Sequence, residues 1–101
     1  MLRFEWDAAK ARTNERKHGV CFDDAMLVFE DIFAVFQPDR HDETGELRWH
    51  VIGMAGAVAV IVVVHTVWNE GHDEWIRIIS ARLATRKERR TYEQARTKDI
   101  G

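Results

Sequence analysis

Leu2, Phe4 and Trp6 alternate with Arg3 and Glu5, the period of a short half-buried strand. Asp7 then stands as the N-cap of a helix from Ala8 to Lys17, with Gly19 as a left-handed C-cap and Lys17 and His18 where cations suit the helix dipole. Cys21-Phe22-Asp23-Asp24 opens a second helix through Ala25, Met26, Leu27, Val28 and Phe29, with Cys21 at a cap position that Ser or Thr would fill better. Ile32 to Gln37 reads as a strand ended by Pro38, and Asp39 to Glu46 as a polar loop. Leu47 to Met54 alternates again, Ala55-Gly56 marks a turn, and Ala57 to Val67 is apolar almost throughout, as a central strand covered on both faces would be. Trp68 to Asp73 reads as a loop, and Ile76 to Ala81 as a β-branched strand. Thr85-Arg86-Lys87-Glu88 is a capping box, in which Thr85 caps the N–H of Glu88 and Glu88 reaches back to Thr85.

The order β-α-α-β-β-β-β-α indicates an α+β fold, and the short loops between the later strands require antiparallel pairing. The expected architecture is a small antiparallel sheet with two N-terminal helices on one face and a C-terminal helix, leaving the other face more open. The last helix has little to bury: from Arg86 to Lys98 only Tyr92 and Ala95 are apolar. Such a helix is solvated or lies against a partner.

At 101 residues the chain is expected to form one domain, residues 1–101. Its net charge of -2 hides an asymmetry. Arg77 to Gly101 holds 8 Lys+Arg and 3 Asp+Glu, a balance of +5, which leaves -7 for the rest. A basic patch of this kind is a footprint for nucleic acid or an acidic partner, or simply a solvated helix face. Cys21 is the single cysteine, so no internal disulfide can form, as befits a reducing cytoplasm. Charges at Arg3, Glu5 and Asp7 argue against a signal peptide, and the longest apolar run, Met54 to Val64, is too short to span a bilayer. A cytoplasmic protein without membrane contact is expected.

His18, His41, His50, His65 and His72 show no helical metal-ligand spacing, and no glycine-rich phosphate loop or nucleophile elbow is present. No metal site or cofactor is expected. The basic residues favour cleavage of RNA by its own 2′-hydroxyl, which needs a base, cations to stabilise the phosphorane, and an acid. Arginine suits the second role because its fork matches phosphate oxygens. Arg77, Arg82, Arg86 and Arg89 lie in sequence near Glu88 and Tyr92, which share one face of a helix. Each has a plainer reading: Glu88 as a cap, Tyr92 as packing, His65 as a buried histidine instead of the base. Strand alternation also places Arg77 with Ile79 and Ala81, but Arg82 with Ile78 and Ser80, on opposite faces unless the chain turns after Ser80. The competing class is a non-catalytic module whose basic C-terminal helix binds DNA or an acidic partner.

With these residues in view, the sequence resembles the BrnT family of type II toxins over nearly its whole length. The resemblance rests on Phe4-Glu5-Trp6-Asp7, Lys10, Asn14 and Lys17-His18-Gly19-Val20 at the front, and on Glu46-x-Arg48 and Ile52-Gly53 in the middle. At the end it rests on His65-Thr66, Arg77-Ile78-Ile79-Ser80-Ala81-Arg82, Ala84-Thr85, Glu88-Arg89 and Tyr92-Glu93. It implies a RelE-like fold and a metal-independent endoribonuclease that inhibits translation as part of a stress response. The site residues it implies are Arg77, Glu88, His65, Arg82 and Tyr92 for catalysis; the basic residues Arg86, Arg89 and Lys17 are expected beside them as RNA contacts. It also implies a BrnA-like ribbon-helix-helix antitoxin, two copies of each chain in the complex, and contact with promoter DNA only through that antitoxin. The stretch from Val67 to Glu74 looks longer, and richer in Trp and His, than the tight hairpin of that family.

Overall fold

The computed structural model describes residues 1–100, with side-chain surroundings through Lys98. Its elements follow in the order β1 (Leu2–Glu5), α1 (Ala8–His18), α2 (Phe22–Met26), a 3-10 turn (Leu27–Glu30), β2 (Val35–His41), β3 (Leu47–Ala55), β4 (Ala59–Glu70), β5 (Asp73–Leu83) and α3 (Arg86–Ile100). This is the expected α+β arrangement. The five strands form one sheet in the order β1-β5-β4-β3-β2. From β2 to β5 each strand pairs antiparallel with the next, as short connections dictate. β1 differs: it joins β5 in parallel, Leu2 to Glu74 through Glu5 to Arg77, so the sheet is mixed.

β1 covers only the first half of the outer edge of β5. The second half is completed by a side chain. Asn14, buried on α1, accepts from the N–H of Ala81 at 3.1 Å, donates to its carbonyl at 2.8 Å, and donates to the carbonyl of Val20 at 3.1 Å. A carboxamide here imitates a strand backbone and leaves no buried peptide group unmet. Ala11 packs on the core beside Asn14, the rest of α1 is exposed, and its ends are closed by caps. Asp7 accepts from the N–H of Lys10 at 3.0 Å, and Gly19 closes the helix at φ 72°.

Four boundaries differ from the expected ones: first, β2 begins at Val35 and not at Ile32, because Ile32 and Phe33 form a turn in which the Phe33 N–H donates to Asp31 at 2.9 Å. Pro38 does not end its strand: β2 runs on to His41, because an edge strand needs no N–H there, and the register shifts between Pro38 and Arg40. The second helix tightens into the 3-10 turn after Met26, and Cys21 makes no side-chain cap bond. The stretch after Val67 is no loop. β4 and β5 continue to Glu70 and from Asp73, closed by Gly71-His72 with Gly71 at φ 63°, a conformation suited to the first position of a two-residue hairpin turn. Trp68 and Trp75 pair across it with rings 6.0 Å apart and 9° from parallel, which stiffens the hairpin.

The core has two parts, one on each face. On the first, Phe22, Ala25 and Val28 pack on Val51, Ile61, Val63, Ile76, Ile78 and Ala81. On the second, Tyr92 and Ala84 pack on Ile52 and Val62, with Phe33, Val35, Met54 and Val60 around them. α3 thus covers one end of the second face and leaves the other end open. No helix among the described residues is long and apolar enough to cross a membrane.

Candidate functional site

The open end of the second face is built by an irregularity in β5. Val64 pairs with Ser80, but His65 pairs with Ile78, so Ile79 is an extra residue in the strand. Such a bulge shifts the parity of everything beyond it. Ile76, Ile78 and Ala81 therefore face the helices together, while Arg77, paired with Thr66, and Arg82, paired with Val62, share the opposite face. The chain does turn after Ile78, and the conflict between Arg77 and Arg82 is resolved. They remain about 15 Å apart along the strand, too far to hold one small group between them.

Arg77 stands in a row that crosses the sheet. On one side it pairs with Glu5 of β1, its Nε donating to Oε1 at 2.7 Å. On the other it pairs with Thr66 of β4, and the next residue in register on β3 is Arg48, adjacent to the pair Trp49–His65. Arg40 of β2 pairs with Arg48 at the far edge. The Arg77 guanidinium also lies 5.9 Å from the Trp68 ring and its side chain is 59% exposed. A cleft of about 390 Å³ opens over this row, lined by Glu5, Asp7 and Lys10, by Asp42, Glu46 and Arg48 of the β2–β3 hairpin, and by Thr66, Arg77 and Ile79. A second cleft, of about 350 Å³, continues along α1 past Lys10 and Ile79 to Lys17.

The other candidates fall elsewhere. His65 is on the helix-covered face, 1% exposed, edge-on to Phe29 at 4.9 Å and Phe36 at 6.0 Å. Burial depresses its pKa to about 4, so the ring is neutral and sits across the sheet from the arginines. Sequence alternation alone assigns it to that face, opposite Thr66 and Val64.

Glu88 is the cap that the motif predicts: Thr85 N–H donates to it at 2.9 Å, and its own N–H donates to the Thr85 hydroxyl at 3.2 Å. It also receives two bonds from Arg82, at 2.7 and 2.9 Å. The Arg82 guanidinium first, then the Thr85 N–H, hold its pKa down to about 2, which makes it a poor proton acceptor.

Tyr92 is 1% exposed, and its hydroxyl donates to Asp31 Oδ2 at 2.6 Å. That carboxylate also accepts from the N–H groups of Met54 at 2.8 Å and Phe33 at 2.9 Å. Burial first, then the Asp31 carboxylate, push the phenol well above its ordinary pKa. Tyr92 therefore pins α3 to the sheet and does not reach the cleft. Arg86 is exposed at the start of α3, and Arg89 donates to the Ala84 carbonyl at 3.0 Å.

The structure thus unites Arg77 with four residues absent from the sequence-based selection: Glu5, Lys10, Arg48 and Thr66. They come from β1, α1, β3 and β4, and no local spacing could have joined them. The available signal was that all four stand among the residues that carry the family resemblance, Glu5 and Lys10 around the Asp7 cap, Arg48 after Glu46 and Thr66 after His65. No group of three His, Cys, Asp or Glu among the described residues is placed to hold a metal ion.

Residues 6–88 match the family model described as "Ribonuclease toxin, BrnT, of type II toxin-antitoxin system". Among solved structures the chain is similar to the Brucella abortus ribonuclease toxin BrnT, whose crystal structure extends to 1.1 Å resolution. The two share 30% identity over 85% of this chain and 100% of that one, with a TM-score of 0.65. Among curated proteins no significant match is found.

Proposed function

The chain belongs to the BrnT family of ribonuclease toxins of type II toxin-antitoxin systems, and from that premise we propose that it is a metal-independent endoribonuclease that cuts RNA in the cleft around Arg77 and so inhibits translation. The observation that carries this reading is the bulge at Ile79, which turns Arg77 and Arg82 onto the same face of the sheet, Arg77 at its open end and Arg82 beside the start of α3. Arg77 binds the scissile phosphate and stabilises the charge that develops on it. The base is Glu5, the carboxylate in contact with Arg77, in place of His65 and Glu88. Glu5 takes the proton of the 2′-hydroxyl, the 2′-oxygen bonds to phosphorus, and the 5′-oxygen leaves with a proton from water. Lys10 and Lys17 guide the strand along α1; Arg82, Arg86 and Arg89 hold it near the start of α3, where Glu88 fixes Arg82. Tyr92 and His65 act on the fold alone.

A type II toxin has an antitoxin partner. We take it to be a BrnA-like ribbon-helix-helix protein, in a complex of two toxins and two antitoxins that meets promoter DNA through the antitoxin. The setting is the cytoplasm.

The test is cleavage of single-stranded RNA, free and on translating ribosomes, in the presence of chelator. Arg77→Ala should lose about 10²–10³-fold in kcat, the effect of removing a principal charge-stabilising donor. Glu5→Gln should cut slowly while binding RNA normally. Wild-type rates from Arg77→Ala on both substrates would remove Arg77 from the reaction, and absence of cleavage by the wild type on both would leave the binding-module reading, in which α3 holds an acidic partner.

A further inference from the structure

Two polar atoms beneath the cleft have no hydrogen-bond partner among the described residues: the Thr66 hydroxyl and the Arg48 Nε. Thr66 is 1% exposed, and both residues line the same cleft as Arg77. A buried donor left unmet costs about 1–3 kcal/mol, so sites that keep one usually have a use for it. Such a hydroxyl is ordinarily met by a backbone group or water. Here its neighbours across the strands are two arginines, Arg77 directly paired and Arg48 next in register. Strand spacing puts each about 5 Å from Thr66 at the backbone, so the two guanidinium stems flank the hydroxyl.

We infer that Arg48, Thr66 and Arg77 form a three-point clamp for one phosphodiester group, with the Thr66 hydroxyl as its floor. The chemistry is matched: three donors of two kinds converge on the acceptor oxygens of an anion, and two positive charges in a half-enclosed cleft offset its charge. Four carboxylates line the same cleft, Glu5, Asp7, Asp42 and Glu46, and three of them are bonded within the protein, Asp7 to the N–H of Lys10 at 3.0 Å. Glu5 is bonded to Arg77, and Asp42 accepts from Thr44 N–H and Glu46 N–H at 2.9 and 3.0 Å within its own turn. Arg48 and Thr66 are positioning residues for the reaction at Arg77, and to that extent the clamp rests on the ribonuclease reading. Phosphate binding by the same three groups does not.

The experiment uses a single-stranded oligonucleotide with 2′-deoxy sugars, which binds but cannot be cut, beside its RNA counterpart. Thr66→Val keeps the shape of the side chain and removes the hydroxyl; Arg48→Lys keeps the charge and removes the fork. Thr66→Val should melt no lower than the wild type, because an unmet hydroxyl leaves the interior. Both variants should bind the deoxy strand about tenfold more weakly, the effect of one good phosphate contact. If both bind and cut as the wild type does, the clamp is wrong while the ribonuclease reading stands. If both weaken deoxy-strand binding but the wild type cuts no RNA, free or on ribosomes, the clamp stands and the ribonuclease reading falls. Absence of measurable binding by the wild type at low salt overturns the clamp directly.

Discussion

Glu88 shows how one carboxylate can look catalytic and be structural. It satisfies the first turn of α3 and both arms of Arg82, and its pKa falls from an ordinary 4.5 to about 2. A depressed carboxylate contributes stability that is fully present above its unfolded pKa and is lost as pH falls through its folded one. Glu88→Ala should therefore cost about 1 kcal/mol or slightly more near neutral pH. That difference from the wild type should shrink as pH drops from about 4.5 to 2. Denaturant unfolding of both proteins across that range measures it; a pH-independent difference would mean that the ionised carboxylate is not what stabilises the fold here. Tyr92 belongs to the same class of residue. Its buried hydroxyl serves the Asp31 carboxylate, which gathers β3, the segment before β2 and α3 at one point.

At the scale of elements, the edge of β5 decides the site. β1 pairs with its first half, Asn14 stands in for a strand at Ala81, and between them lies the bulge at Ile79. Asn14→Ala removes three buried hydrogen bonds and leaves the peptide groups of Ala81 unmet. The expected loss is about 2–4 kcal/mol, read as a lowered midpoint in urea. Amide exchange at Ala81 should accelerate more than exchange in the central strand β4. Equal protection in variant and wild type would show that Asn14 does not hold this edge. α3 is the reverse case, a helix polar almost throughout that stays in place through one aromatic anchor and its capping box.

Across the whole molecule, the charge asymmetry read from the sequence, +5 beyond Ile76 and -7 before it, becomes spatially mixed. Arg48 and Lys10 come from the acidic part and join Arg77 over one cleft, while Glu5 and Asp7 stand at its rim. Asp42 and Glu46 line it too, so the cleft is of mixed charge, with a row of cations set among carboxylates rather than a uniformly basic surface. Contact with three or four phosphates predicts that affinity for single-stranded RNA falls about 20–50-fold between 50 and 200 mM salt. A binding isotherm at several salt concentrations gives the slope. A slope near zero would mean that phosphate contacts do not drive binding.

Much was legible in order along the chain because it depends on neighbours in sequence. Period-two alternation marked the strands, Asp7 and Gly19 bounded α1, and Thr85 with Glu88 marked the start of α3, all through contacts within a few residues. Short connections determined the antiparallel pairing of β2 to β5. Only the tertiary structure decided which candidates share a site. One extra residue in β5 reverses the parity of Arg82, and nothing in Ile78-Ile79-Ser80 announces a bulge, because its register is set by pairing with β4. His65 lost its place by the same rule of alternation, once its strand was known to carry Thr66 toward Arg77. Glu5 and Arg77 meet across 72 residues because β1 returns in parallel to the far edge of the sheet. Local periodicity determines what each segment is; long-range pairing determines which side chains face one another, and the chemistry of this protein lies in the second.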